Sequence, residues 1–234
     1  MNTSARNPAS KPAVALAIML GAQLMIILDA TVVNIALPHI QAGLGFSSTS
    51  LSWVMNGYTL TFGGLLLLGG RVGDILGRRR TFLVGIVIFT LASLTGGLAN
   101  SAALLLAARA VQGVGGALAS PAVLALVISG YPEGRERTRV LAIYSGVVTG
   151  GSSLGLVLGG LITQWLSWRW VLFINVPIGI AVVIAAPVFV AETPRLRAAA
   201  HPDGAALLRH QPVVGDERVH AHVRRSPAAR RPCG

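Results

Sequence analysis

Residues 49–99 read TSLSWVMNGYTLTFGGLLLLGGRVGDILGRRRTFLVGIVIFTLASLTGGLA, and their pattern decides the fold. Two apolar runs, 49–69 and 81–99, carry no Asp, Glu, Lys, Arg or His. Each has about the 20 residues that an α-helix needs to cross the ~30 Å hydrocarbon layer of a bilayer. The short segment between them holds Arg71, Arg78, Arg79 and Arg80. Lipid offers no water to unpaired backbone amides, so a spanning segment is helical unless it belongs to a closed barrel. The stretch therefore reads as two membrane helices joined by a basic connection, and the chain as an all-α membrane protein.

Working outward, the same criterion finds six spans: about 13–36, 49–69, 81–99, 102–129, 139–163 and 170–191. The first is too long for the apolar core of a signal peptide, and no clear small-residue cleavage site follows it. Residues 1–12 hold two basic side chains, the 70–80 connection four, the 131–139 connection three, and Arg195 and Arg197 follow the last span. The alternate gaps contain only Arg169. Eleven against one places both ends of the chain in the cytoplasm, which requires an even number of spans.

Composition excludes the main soluble classes. Hydrophobic residues make up 53% and charged residues 12% of 234, about half the charged share of a soluble domain. The net charge of +11 comes from span-flanking arginines and from a tail, 195–234, rich in Arg, Ala, Pro and His. That tail has no aromatic residue, so a nucleic-acid surface is not indicated. It reads either as a solvated basic segment or as the out-of-frame continuation of a longer gene. The only lysine, Lys11, precludes a GxxxxGK phosphate loop. The only cysteine, Cys233, precludes a cysteine metal cluster. His39 is the sole histidine before the tail and no span holds a pair of carboxylates, so an enzyme, a cofactor and a metal are not expected.

Two features inside this apolar frame carry chemistry. Apart from Arg139 at the edge of the fifth span, Asp29 and Arg109 are the only charged residues within the spans, and such residues normally face a partner or a polar cavity. Asp29 precedes Pro38 by nine residues and Arg109 follows Ser101 by eight, so both lie roughly 12–14 Å below the outer surface at 1.5 Å per residue. Opposite charge at equal depth points to a pair. A nearby guanidinium favours an ionised carboxylate and burial a neutral one, so displacing Arg109 would favour proton uptake on Asp29. The alternative is a static ion pair that orders two helices. Gln112 and Asn34 are the polar side chains expected to extend the site. In the 70–80 connection, Gly70, Gly73 and Gly77 are expected to supply a tight backbone around Asp74, with Arg71 and Arg78 as charge partners. Gly151, Gly155 and Gly159, flanked by Gly146, Gly150 and Gly160, form a small-residue stripe on the fifth span. Such stripes are helix-packing seams more often than ligand sites.

Taken together, these residues resemble the major facilitator superfamily, specifically the N-terminal half of its fourteen-helix drug:proton antiporter branch. Gly70 to Arg80 is similar to the G-x-L-a-D-r-x-G-r-r signature between helices two and three, departing from it at Val72 and Ile75. Leu28-Asp29-Ala30-Thr31-Val32-Val33-Asn34-Ile35-Ala36-Leu37-Pro38 resembles the helix-one motif of the branch. Arg109-Ala110-Val111-Gln112-Gly113-Val114-Gly115 matches R-x-x-Q-G-x-G of helix four, whose arginine the family associates with proton coupling. Gly151 to Gly160 looks like the helix-five antiporter motif, with Leu156 where the family has the proline that bends the helix. Trp168-Arg169-Trp170 and Asn175-Val176-Pro177-Ile178-Gly179 resemble the beginning of helix six. The resemblance covers about residues 13–194.

It implies a six-helix bundle built as an inverted 3+3 repeat, one half of a carrier whose two halves rock about a central cavity. It also implies a plasma-membrane exporter that exchanges protons for small amphipathic drug-like molecules. Its surroundings would be membrane lipid, with a second half that this chain does not supply. A truncated fragment that inserts without transporting, or a proton-coupled carrier of another small solute, are the alternatives.

Overall fold

Amides in a bilayer must be bonded within their own segment, and every apolar run is accordingly helical. A computed structural model describes residues 12–190; the expectations for residues 1–11, for the end of the last span and for the 195–234 tail fall outside them. Among the described residues the helices are α1 (Pro12–Leu44), α2 (Ser48–Leu51), α3 (Trp53–Leu76) and α4 (Arg78–Gly97). They continue with α5 (Ala102–Gly130), α6 (Arg135–Trp165), α7 (Trp170–Phe173) and α8 (Asn175–Phe189). Six segments among the described residues are long and apolar enough to cross a membrane, with α2–α3 and α7–α8 each making one crossing.

The boundaries depart from expectation where a helix breaker was read as an end. Pro38 lies inside α1, which continues to Leu44, because a proline removes a single intrahelical bond and membrane helices tolerate that loss. The connection expected to occupy residues 70–80 shrinks to one residue. Gly70, Arg71, Gly73 and Asp74 are all helical, and only Gly77 breaks the chain, at φ 101°. Glycine reaches that backbone conformation without the Cβ clash other residues meet. Short caps close other ends: the Ser101 hydroxyl accepts from Leu104 N–H at 3.3 Å to start α5.

Small residues set the packing. α5 is pressed between α3 and α4, and its glycines face both ways. A Cβ on Gly115 would stand 2.6 Å from Phe89 N, while one on Gly113 would overlap Thr61 and the Tyr58 carbonyl of α3. On the other side of the bundle α1 packs against α6 and α8. Crossing four thus leans on crossings two and three as crossing one leans on five and six, and elements three crossings apart run in opposite directions. That is the pairing of an inverted repeat. α3 and α6 are the least covered helices of the bundle.

Two apolar clusters fill the interior. One gathers Met25, Phe82, Ile86, Phe89 and Val123; the other gathers Val32, Ile40, Val54, Leu105 and Leu172. The level between them is polar.

Candidate functional site

At the junction of the two apolar clusters, five helices contribute polar groups. α1 supplies Asp29, α3 the Val54 carbonyl and the Tyr58 ring, and α4 Ser93. α5 supplies Arg109 and Gln112 from one face, three residues apart, and α8 supplies Asn175. Asp29, Ser93, Arg109, Gln112 and Asn175 are at most 1% exposed.

The bonds among them form one network. Arg109 Nη1 donates to Asp29 Oδ2 at 2.6 Å and to Gln112 Oε1 at 2.7 Å. Arg109 Nε donates to the Val54 carbonyl at 3.3 Å, and the guanidinium lies 4.2 Å above the Tyr58 ring. Gln112 Nε2 donates to Asp29 Oδ1 and to Ser93 Oγ, both at 2.7 Å. Asn175 Nδ2 donates to the same two oxygens, at 2.8 Å and 3.3 Å. The Asp29 carboxylate therefore accepts three N–H bonds. The cluster has no net charge, which is how a bundle interior retains two ions that each cost several kcal/mol to desolvate. Two buried atoms in it have no partner: Arg109 Nη2 and Asn175 Oδ1.

Of the four residues expected here, the structure joins Asp29, Arg109 and Gln112. Asn34 is exposed. Five residues at about 100° each carry it roughly 140° around α1 from Asp29, so nearness in sequence did not mean a shared face. Ser93, Tyr58 and Asn175 belong to the network but were not picked out as site residues. Asn175 sits in the quoted helix-six motif, whereas Ser93 is one small hydroxyl in an apolar run and gives no signal of its own.

The other expected groups lie elsewhere. Asp74 meets Arg78 at 3.4 Å, one turn apart across Gly77, and Arg78 also donates to the Ala125 carbonyl of α5 at 3.3 Å. Arg71 is exposed, and Arg79 donates to the Pro187 carbonyl near the end of α8. Gly151, Gly155 and Gly159 face α1, where added methyls would meet Leu24, Thr31 and Ile35 respectively. Gly160 has open space beside it and is not part of that seam. α6 runs unbroken past Leu156.

Comparison with known proteins places this arrangement. A model of the Major Facilitator Superfamily matches residues 19–230. The chain belongs to the major facilitator superfamily. Over 169 residues it is 52% identical to a puromycin resistance protein of Streptomyces alboniger, covering 72% of this chain and 34% of that one. Over 184 residues it is 47% identical to a cephamycin export protein of Amycolatopsis lactamdurans, covering 79% and 38%. The chain thus spans about a third of the length of these curated relatives. Among solved structures, the peptide transporter POT in complex with sulfate superposes with a TM-score of 0.68 at 18% identity, over 83% of this chain and 43% of that one. A bacterial homologue of the human lysosomal transporter Spinster gives 0.66 at 19%, over 86% and 48%. The superfamily fold, a multi-pass helical membrane bundle, is therefore shared.

Proposed function

We propose that these six helices form one of two bundles of a secondary carrier that exports drug-like amphipathic compounds in exchange for protons. In this reading the carrier lies in the plasma membrane with both termini of this chain in the cytoplasm. The observation that carries it is the Asp29–Arg109 pair, wholly buried among neutral hydrogen-bonding groups. Its support comes from relatives whose names refer to antibiotic resistance and export.

The chemistry is an exchange of partners. A proton on Asp29 cancels the charge that holds Arg109 and leaves a guanidinium with no counter-ion in a low-dielectric interior. That cost favours any arrangement in which Arg109 moves toward water or toward another anion. Because Arg109 is also tied to the Val54 carbonyl and the Tyr58 face, its displacement is passed directly to α3, a helix with little cover from this bundle. Deprotonation restores the pair and the original arrangement. Asp74, Arg78 and Gly77 would serve the same cycle at the cytoplasmic end, as the point where α3 and α4 change angle. The Gly151, Gly155 and Gly159 seam would let α6 slide along α1.

The test uses membrane vesicles containing a carrier that joins these helices to a second bundle. A pH gradient should drive export of an amphipathic dye, and Asp29→Asn and Arg109→Ala should each abolish it while leaving the protein inserted. Normal export with either substitution removes that residue from the coupling.

A further inference from the structure

We propose that Asn175 is a positioning residue whose side-chain amide reverses with the protonation state of Asp29. The inference rests on the proton-coupling reading above and adds a residue and a movement to it. Asn175 Nδ2 donates to Asp29 Oδ1 and to Ser93 Oγ, while Asn175 Oδ1 is buried without a partner. A carboxylate only accepts, so an ionised Asp29 selects the NH2 face of the amide. A protonated Asp29 can donate, and so can the Ser93 hydroxyl. Reversal then lets Oδ1 accept from both, leaving the nitrogen where the oxygen was.

Two hydrogen bonds are made in either orientation, by nitrogen in one and by oxygen in the other. An orphaned buried atom is present in both, so the costs of leaving a group unpaired nearly cancel. What decides between the orientations is whether Asp29 carries a proton. Gln112 contacts the same carboxylate but cannot respond in this way. Its Oε1 is held by Arg109 Nη1 at 2.7 Å, and reversal would point its amide hydrogens at that donor. The titratable groups facing Asp29 are Arg109 from α5 and Tyr58 from α3. α4 and α8 present the neutral Ser93 and Asn175, and the glycine stripe of α6 meets α1 at Leu24, Thr31 and Ile35 instead. No other charge among the described residues competes for the choice. Asn175 opens α8 immediately after the break at Ile174, so the reversal reports the state of Asp29 to the sixth crossing.

Infrared difference spectra between low and high pH test this on the 234-residue chain in lipid vesicles, with its asparagines carrying a 13C-labelled side-chain carbonyl. The expected spectrum pairs a carboxylic C=O band, absent in Asp29→Asn, with a label-shifted amide band that is absent in Asn175→Leu. In Asn175→Leu the carboxylic band should move to higher wavenumber, because its O–H has lost an acceptor. Should that variant fail to insert, the labelled wild-type spectrum alone decides, by the presence or absence of the amide band. A carboxylic band with no accompanying amide change, or one unmoved in Asn175→Leu, overturns the reversal and leaves the coupling reading intact. No carboxylic band across the pH range overturns both.

Discussion

Arg109 and Asp29 are both buried, and each is therefore worth most through what its loss leaves behind. Arg109→Ala strands a carboxylate in the interior, and breaking a buried pair in this way costs about 3–5 kcal/mol. Asp29→Asn should cost less, because the stranded guanidinium keeps the Val54 carbonyl, the Gln112 amide and the Tyr58 ring. Replacing both, as Asp29→Leu with Arg109→Met, should recover most of the loss, since the desolvation cost disappears along with the attraction. Thermal melting of the three variants in detergent checks this order: Arg109→Ala lowest, Asp29→Asn intermediate, the double variant near the parent. At this scale the sequence disclosed the charged members and concealed the neutral ones. A charge in an apolar run advertises itself through its cost. Ser93 does not, because a lone hydroxyl in a membrane helix usually bonds its own backbone, as Thr90 does to the Ile86 carbonyl at 2.7 Å. Asn34 misled for a different reason: nearness along a helix is read from residue number alone, but azimuth matters just as much.

Between helices, the fine placement of glycine decides what can be changed. Gly155 faces Thr31 of α1, and a side chain there would overlap it, whereas Gly160 has nothing within 4 Å. Gly155→Val should cost about 1–3 kcal/mol as overpacking does elsewhere, and Gly160→Val should be close to neutral. Melting temperatures of the two variants, compared with the parent, separate a one-sided seam from a generally glycine-dependent helix. The four-residue spacing of Gly151, Gly155 and Gly159 disclosed the seam, though not its partner, and Gly160 was grouped with it only through proximity in sequence. Elements were least legible at their ends. Pro38 and the three glycines of the 70–80 segment look like breakers, yet only Gly77 adopts a backbone that demands one. Arg169 is the clearest case of a residue understood only in three dimensions. It is the lone basic exception to the charge asymmetry, and its guanidinium donates to the Gly97 and Ala99 carbonyls at 2.9 and 2.7 Å, at the end of α4. A cation at a helix C-terminus satisfies carbonyls that the helix leaves open. Trp168 lies 4.8 Å beneath it. Its charge is engaged by the fold, so it weighs little against the basic connections on the opposite side.

For the molecule as a whole, that assignment of Arg169 sharpens the orientation argument. With it set aside, every remaining arginine flanking the spans belongs to a connection on one side, and the energetic bias of the positive-inside rule is undivided. The alternation of apolar runs and basic gaps made six crossings readable, because lipid enforces both length and hydrogen bonding on each segment separately. Which helices touch was not readable, since the crossings are largely apolar all round and the small-residue stripe of α6 does not name its partner. The pairing of α5 with α3 and α4, and of α1 with α6 and α8, came from close approaches that hydropathy does not register. The side on which the ends lie can be measured with a membrane-impermeant thiol reagent on intact cells. Cys233 is the sole cysteine, so Cys233→Ser provides a blank background. In it, Ser48→Cys, at the exposed start of α2, should react from outside. Glu133→Cys, between α5 and α6, should react only after the membrane is opened. The reverse pattern would place the basic connections outside, and would leave the depth, but not the direction, of the Asp29–Arg109 pair standing.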